Sequence, residues 1–257
     1  MDESIDPPAA PTQAPVAIVT GAGRGIGRAV AIALARAGYS LCLAARTHEE
    51  LERTRAATGL APNRALIVLL DLADEAAPEN LIDATLERYG RLDVLVNNAG
   101  WAPPRTPLIR MAPADQDRVL ALNLRAPIAL ARLAAAHFAA LEGDQRALRA
   151  IVNIASAAAR TTPAGEAVYA AAKAGLVAFT HAAFAELRAR EVRIAVVLPG
   201  LVDTALIPPN KRLDRTLMLR AEDVAAAVMQ VVAAPPGACP VEITLEPLSD
   251  PMRPRRA

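Results

Sequence analysis

The sequence predicts an α/β fold, a single domain on a doubly wound, seven-stranded parallel sheet with helices on both faces. Three observations carry that prediction. From Pro15 onward, short β-like runs alternate with longer helical patterns. Most of the runs are nearly continuous apolar stretches, which is how strands read when helices cover both faces of a parallel sheet. No internal repeat, low-complexity linker or break in composition interrupts residues 15–247. At 257 residues, 53% hydrophobic and 21% charged, the chain suits one large domain and can bury a sizeable core.

The strands, in order, are VAIVT (16–20), SLCLAA (40–45), ALIVLLD (65–71), LDVLVNN (92–98), AIVNIA (150–155), VRIAVVL (192–198) and VEITLE (241–246). Helical spacing marks the segments between them. Ile26, Val30 and Leu34 follow the first strand; Leu120, Leu124, Ile128 and Leu133 mark a long fourth helix; Leu176, Phe179, Ala183 and Leu187 a fifth; Val224, Val228 and Val231 the last. Crossovers of this kind make one doubly wound sheet. Residues 1–14, acidic and proline-rich, read as a disordered tail, and 248–257 as a frayed end. Residues 203–219, of mixed polarity with Pro208 and Pro209 paired, read as a candidate lid over the substrate.

Charge and composition exclude several function classes. With 28 Lys+Arg against 27 Asp+Glu, the formal net charge is +1, and nothing overall steers the chain to nucleic acid or an anionic membrane. Cys42 and Cys239 cannot make a disulfide framework or a cysteine-rich metal site. His48, His137 and His181 fall in no ligand spacing, so no metal is expected. The N-terminus lacks the basic start and apolar run of a secretory signal, and no uninterrupted apolar stretch approaches the ~20 residues of a membrane span. The expectation is a cytoplasmic protein acting on a small molecule.

The first strand runs directly into GAGRGIGRAV. Glycine allows a sharp turn and a close approach to a pyrophosphate, and the helix N-terminus that follows offers unpaired N–H groups and a positive dipole end. Gly21, Gly25 and Gly27 can serve that purpose; a tight β-to-α turn that merely favours glycine is the other reading. Tyr169 and Lys173 stand at i and i+4, on one helical face. With three tyrosines and two lysines in the chain, a chance pair at this spacing has a probability of about 2%. A free phenol titrates near ~10, and a cation held close lowers that value, so Lys173 is expected to tune Tyr169 for proton exchange with a carbonyl or alcohol oxygen. Ser156 ends the fifth strand, where it can hold the same oxygen or satisfy local backbone. Asn123 lies amid apolar residues of the fourth helix, as a hydrogen-bonded polar group or as a helix-bending one.

These landmarks, in order over residues 16–204, resemble the short-chain dehydrogenase/reductase family: T-G-x-x-x-G-x-G from Thr20 to Gly27, Asp71-Leu72, Asn97-Asn98-Ala99-Gly100, Asn123, Ser156, Tyr169-x-x-x-Lys173, and Pro199-Gly200 with Thr204. The resemblance implies a Rossmann-like domain that transfers a hydride between a nicotinamide dinucleotide and a carbonyl or secondary alcohol. It implies catalysis by Asn123, Ser156, Tyr169 and Lys173, with Asn123 holding a water that links Lys173 to solvent. It implies cofactor contacts from Gly21, Arg24, Gly25, Ile26, Gly27, Arg46, Asp71, Leu72, Asn97, Ala99, Gly100, Tyr169, Lys173, Pro199, Gly200, Val202 and Thr204. It further implies homodimers or homotetramers formed by the alanine-rich helices (LAAAHFAA, YAAAKAGLVAF), unless those alanines face the chain's own sheet.

An NAD-preferring site places an Asp or Glu about 20 residues after the turn, whereas an arginine accommodates the 2′-phosphate of NADP. Here the second strand ends Ala44-Ala45-Arg46, and Arg24 lies within the turn. NADP(H) is therefore expected over NAD(H), although arginine is abundant enough for either to be an ordinary surface residue. The end CPVEITLEPLSDP departs from the segment usual in the family's fatty-acid-type 3-oxoacyl reductases, so no carrier-protein substrate is assigned. The rival expectations are a non-catalytic dinucleotide-binding sensor and a member doing epimerase or lyase chemistry. Trp101, directly after the NNAG segment, borders the substrate pocket or packs at a helix or subunit contact.

Overall fold

The computed structural model describes residues 14–252 apart from 142–148, 208–209 and 211. Expectations for residues 1–13, for Pro208, Pro209 and Lys211, and for 253–257 lie outside the described residues. Seven strands form one sheet: β1 (Val16–Thr20), β2 (Ser40–Ala45), β3 (Ala65–Leu69), β4 (Val94–Asn97), β5 (Ala150–Ile154), β6 (Arg193–Pro199) and β7 (Glu242–Leu245). Their order is β3-β2-β1-β4-β5-β6-β7, and every pairing is parallel. The chain runs outward from β1 to β3, then returns to place β4 on the other side of β1. The connections after β1 and β4 therefore diverge, leaving a crevice at the C-terminal ends of the strands.

Alternate residues of each strand serve opposite faces. Ala17, Val19, Leu41, Leu43, Val94 and Val96 meet α1 (Gly25–Arg36), α2 (His48–Thr58) and a C-terminal helix through Val30, Leu34, Leu51, Val224, Val228 and Val231. Ile18, Cys42 and Leu95 meet α3 (Ala77–Tyr89) and two further helices through Leu81, Leu130, Phe138 and Ala183. Each large apolar side chain buried this way contributes about 1.5–3 kcal/mol. Burial on both sides explains why the strands read as continuous apolar runs.

The long fourth helical segment is α4 (Pro113–Leu120) and α5 (Ala126–Ala140), joined without a break by a π-helical turn over Ala121–Arg125. The residues facing the sheet are Leu122, Ala126, Leu130, Ala134 and Phe138, whereas Leu120 is 39% exposed. Of the residues whose spacing marks this helix in the sequence, Leu133 packs against that core, whereas Leu120 lies on another stripe. The π turn adds a residue to one turn and rotates the face beyond it. After a short α6 (Ala158–Thr161) comes α7 (Ala167–Leu187), and α8 (Ala221–Val232) closes the first face. Residues 113–140 and 167–190 are long and apolar enough to cross a membrane by length and average composition, although charged residues interrupt both. Within this fold their inner faces cover β4, β5 and β6.

The C-terminal end also departs from expectation. Pro251 and Met252 are tied down instead of frayed, although Leu248 is fully exposed: Pro251 is buried, its carbonyl accepts from Asp214 N (2.8 Å), and Met252 bridges antiparallel to Leu213. The reason is the adjacent segment 203–219, which supplies those partners.

Candidate active site

The glycine-rich turn leaves β1 at the switch point. Gly21 and Gly25 have φ of +63° and +52°, a left-handed backbone that favours glycine. A Cβ on Gly27 would run into the Gly21 carbonyl and come within 2.6 Å of Asn98 Nδ2. Thr20 Oγ1 accepts from the backbone N–H of Asn98 (2.9 Å) and Ala99 (3.0 Å), and Asn98 Nδ2 donates back to the Thr20 carbonyl at 2.9 Å. From the other side Thr54 Oγ1 donates to the Ala22 carbonyl at 2.9 Å and accepts from Arg28 Nε at 3.1 Å. The turn is thus clamped between β4 and α2. No side chain caps the N-terminus of α1, which follows Arg24 in extended conformation. Close-approach glycines and uncapped N–H groups at a twelve-residue helix fit a pyrophosphate.

Across the crevice stand the residues of the other half of the sheet. Lys173, on α7, is 4% exposed. Its Nζ donates to the Ile154 carbonyl at 2.8 Å and lies 5.8 Å from the centre of the Tyr169 ring. Burial lowers its pKa to about 8. Ser156, two residues beyond β5, accepts from Ala158 N at 3.1 Å and so meets the local-backbone reading. Its side chain also lies near enough to the Tyr169 phenol to favour the ionised form. Asn123, in the π turn, is fully buried; its Nδ2 donates to the carbonyls of Trp101 (2.7 Å) and Val119 (2.9 Å), and its Oδ1 accepts from Trp101 N at 3.3 Å. A Cβ on Gly100 would lie 2.8 Å from Asn123 Oδ1 and 3.7 Å from Lys173 Nζ, so glycine there keeps a gap between the two.

The expected tuning of the phenol is not met in the chain itself. Burial pushes Tyr169 up to about 12; the Ser156 side chain draws it back in part, and the charge of Glu166 raises it further. The Lys173 ammonium, which would oppose that rise, is itself disfavoured by burial.

The remaining candidates fall into distinct settings. Asp71 and Arg46 lie just past β3 and β2, 3.6 Å apart, and Asp71 also takes a 3.0 Å bond from Arg118 of α4. Leu72 is buried in the core. Arg24 is exposed and pairs with Glu50 of α2 at 3.6 Å. Asn97 does not turn its side chain to the crevice: its Nδ2 donates to Pro127 O (3.2 Å) and to Asn153 Oδ1 (2.9 Å) in the core. Ile26 packs on the core, and Ala99 flanks the turn through its N–H. Pro199 and Gly200 end β6, with Gly200 N bonded to Leu245 O at 2.8 Å. Val202 is buried and bridges to Leu219. Thr204 Cγ2 would lie 3.2 Å from a Cβ on Gly25. Arg215 donates to Asp203 Oδ1 (2.7 Å), Thr204 O (2.9 Å) and Ile207 O (3.2 Å), pinning residues 203–207.

Sequence reasoning missed Glu50, Thr54, Arg118 and Arg215. Glu50 is one helical turn past Arg46, and a Cβ on Gly23 would lie 3.0 Å from its Oε2. The only available signal was helical phase, since the face of α2 that meets the turn carries Glu50 and Thr54 at i and i+4. Among the described residues no group of three or more His, Cys, Asp or Glu side chains is placed to hold a metal ion.

The model of the family described as short chain dehydrogenase matches residues 15–213. A granaticin polyketide synthase putative ketoacyl reductase from Streptomyces violaceoruber is 37% identical over 237 residues, covering 86% of this chain and 91% of that protein. Among solved structures, a metagenomic short-chain oxidoreductase in complex with NADP superposes with a TM-score of 0.76 at 33% identity, over 91% of this chain and 98% of the other. A 3-ketoacyl-(acyl-carrier-protein) reductase from Brucella melitensis complexed with NADH superposes with a TM-score of 0.81 at 27% identity, over 90% and 96%.

Proposed function

The chain belongs to the short-chain dehydrogenase family, and from that premise we propose that it transfers a hydride between NADP(H) and the carbonyl or secondary alcohol of a small uncharged molecule. The observation that carries the reading is that Ser156 just past β5 and Tyr169 and Lys173 on α7 come together at the C-terminal ends of the strands, on the other side of the sheet's switch point from the glycine turn. A bound nicotinamide dinucleotide supplies the hydride, or accepts it in the reverse direction.

The chain's own residues orient the substrate and move a proton. The glycine turn and the N-terminus of α1 take the pyrophosphate. Tyr169 and Ser156 would receive the nicotinamide end, and Arg46 and Asp71, just past β2 and β3, the adenosine end. Ser156 Oγ donates to the substrate oxygen and holds it at Tyr169 Oη. In reduction Tyr169 gives its proton to that oxygen; in oxidation it takes the proton back. Because burial keeps the phenol protonated at neutral pH, reduction is the direction the resting chain is ready for. Lys173 is the neighbouring proton source, and the gap at Gly100 is where a water joins it to Asn123.

NADP(H) is favoured over NAD(H) by Arg46 and Arg24, both exposed on the adenosine side. Each is paired to a carboxylate in the free chain, and a 2′-phosphate competes for both. The relative solved with NADP supports this choice, while the one solved with NADH keeps the second cofactor in the comparison. We place the protein in the cytoplasm as a homodimer or homotetramer.

The test is a panel of ketones and secondary alcohols followed at the absorbance of the reduced nicotinamide, with kcat/KM for both dinucleotides. Turnover with NADPH preferred is the expected result. Tyr169→Phe is expected to lose about 10²–10⁴-fold in kcat while still binding dinucleotide. Binding without turnover across the panel would overturn the reading in favour of a sensor.

A further inference from the structure

Arg118, on the last turn of α4, touches both ends of the site. Its Nη2 donates to Asp71 Oδ2 at 3.0 Å, and its guanidinium carbon lies 5.7 Å from the centre of the Trp101 ring, a cation–π contact. Trp101 is in turn the backbone partner of Asn123, whose side chain bonds both its N–H and its carbonyl. Asp71, Arg118, Trp101 and Asn123 therefore form an unbroken chain of contacts from the rim beside β3 to the buried amide next to Lys173.

Asp71 divides its charge between two cations. Oδ2 lies 3.6 Å from Arg46 Nη1 and 3.0 Å from Arg118 Nη2, while Oδ1 is taken by Ala73 N at 3.0 Å. A phosphate dianion arriving beside Arg46 takes that cation and repels Asp71, which then rests on Arg118 alone. The shift has somewhere to go, because the other side of Arg118 lies on the indole ring.

We infer that Arg118 is a positioning residue that couples the adenosine end of the crevice to the catalytic end. Filling the Arg46–Asp71 corner changes how Arg118 divides itself between Asp71 and Trp101, and with it the Trp101–Asn123 contact, so the half of the dinucleotide that takes no part in hydride transfer bears on the proton route. This rests on the dinucleotide reading above and adds to it a residue that touches neither substrate nor reacting atoms.

Trp101 is the only tryptophan in the chain, so its emission reports this junction alone. The full-length protein is titrated with adenosine 2′,5′-bisphosphate, which fills the adenosine end without reaching the nicotinamide end; binding is measured independently by calorimetry. In the parent, binding is expected to change Trp101 emission. In Arg118→Gln the fragment still binds and the emission change is lost. Arg125→Gln, on the same helical segment but paired with Glu75, keeps the parent response. With NADPH and a ketone, Arg118→Gln lowers kcat by about two- to thirtyfold, and Arg118→Lys restores part of it. An equal emission change in parent and Arg118→Gln, or none in a parent that binds the fragment, overturns the coupling. Failure of the parent to bind either the fragment or NADP(H) overturns the dinucleotide reading instead, and the coupling with it.

Discussion

At Tyr169 and Lys173 two effects compete, and desolvation wins over charge. Spacing in the sequence places the two on one helical face, and they do lie together, with 5.8 Å from Nζ to the ring centre. What spacing could not reveal is how dry the pair is. Burial raises the phenol to about 12 and lowers the ammonium to about 8, each toward its neutral form. Carbonyl reduction, which uses the protonated phenol, should therefore hold a level kcat/KM from about pH 6 to 8, whereas alcohol oxidation should climb over the same range. Paired initial-rate profiles in the two directions check this. Lys173 also marks stability. Its folded pKa of about 8 lies below the ordinary 10.5, so the unfolded chain binds the extra proton between those values. The cost of burying the ammonium is full below pH 8 and is released as pH rises toward 10.5. Relative to Lys173→Met, the parent should gain about 3 kcal/mol across that window, read by urea unfolding at both ends.

Among the elements, α2 has a role its composition hides. It reads as a charged surface helix, yet Thr54 is fully buried and reaches the carbonyl of Ala22 inside the glycine turn. Replacing Thr54 with valine keeps the shape and leaves that carbonyl and Arg28 Nε without their partner. The expected cost is about 1–3 kcal/mol in urea unfolding, together with weaker dinucleotide binding by calorimetry. The glycine turn itself was legible because only glycine tolerates its backbone. The latch was not, because a threonine in a polar helix carries no mark of what lies across from it. The fourth helical segment shows the same limit from another direction. Its existence was plain from apolar content, but the π turn at Ala121–Arg125 turned Leu122 and Leu130 inward and left Leu120 at the surface. Periodicity assumes a regular pitch, and one added residue defeats it.

For the whole molecule, the inner strands were legible because a sheet covered on both faces leaves no polar alternation, the edge strand β7 by its alternation of Glu242, Ile243, Thr244 and Leu245, and short crossovers leave few topologies. Assembly was not legible, since the same alanines suit either a sheet or a second copy. Light scattering is expected to give two or four times 26.9 kDa, and a monomer at micromolar concentration would refute the assignment. The segment read as a frayed end proved to be an anchor, since Leu213 and Asp214 hold Met252 and Pro251, and Arg215 next to them pins the residues beside Thr204. A handle fused close behind Met252 would therefore pull on Leu213 and Asp214, and through their neighbour Arg215 on the rim of the crevice.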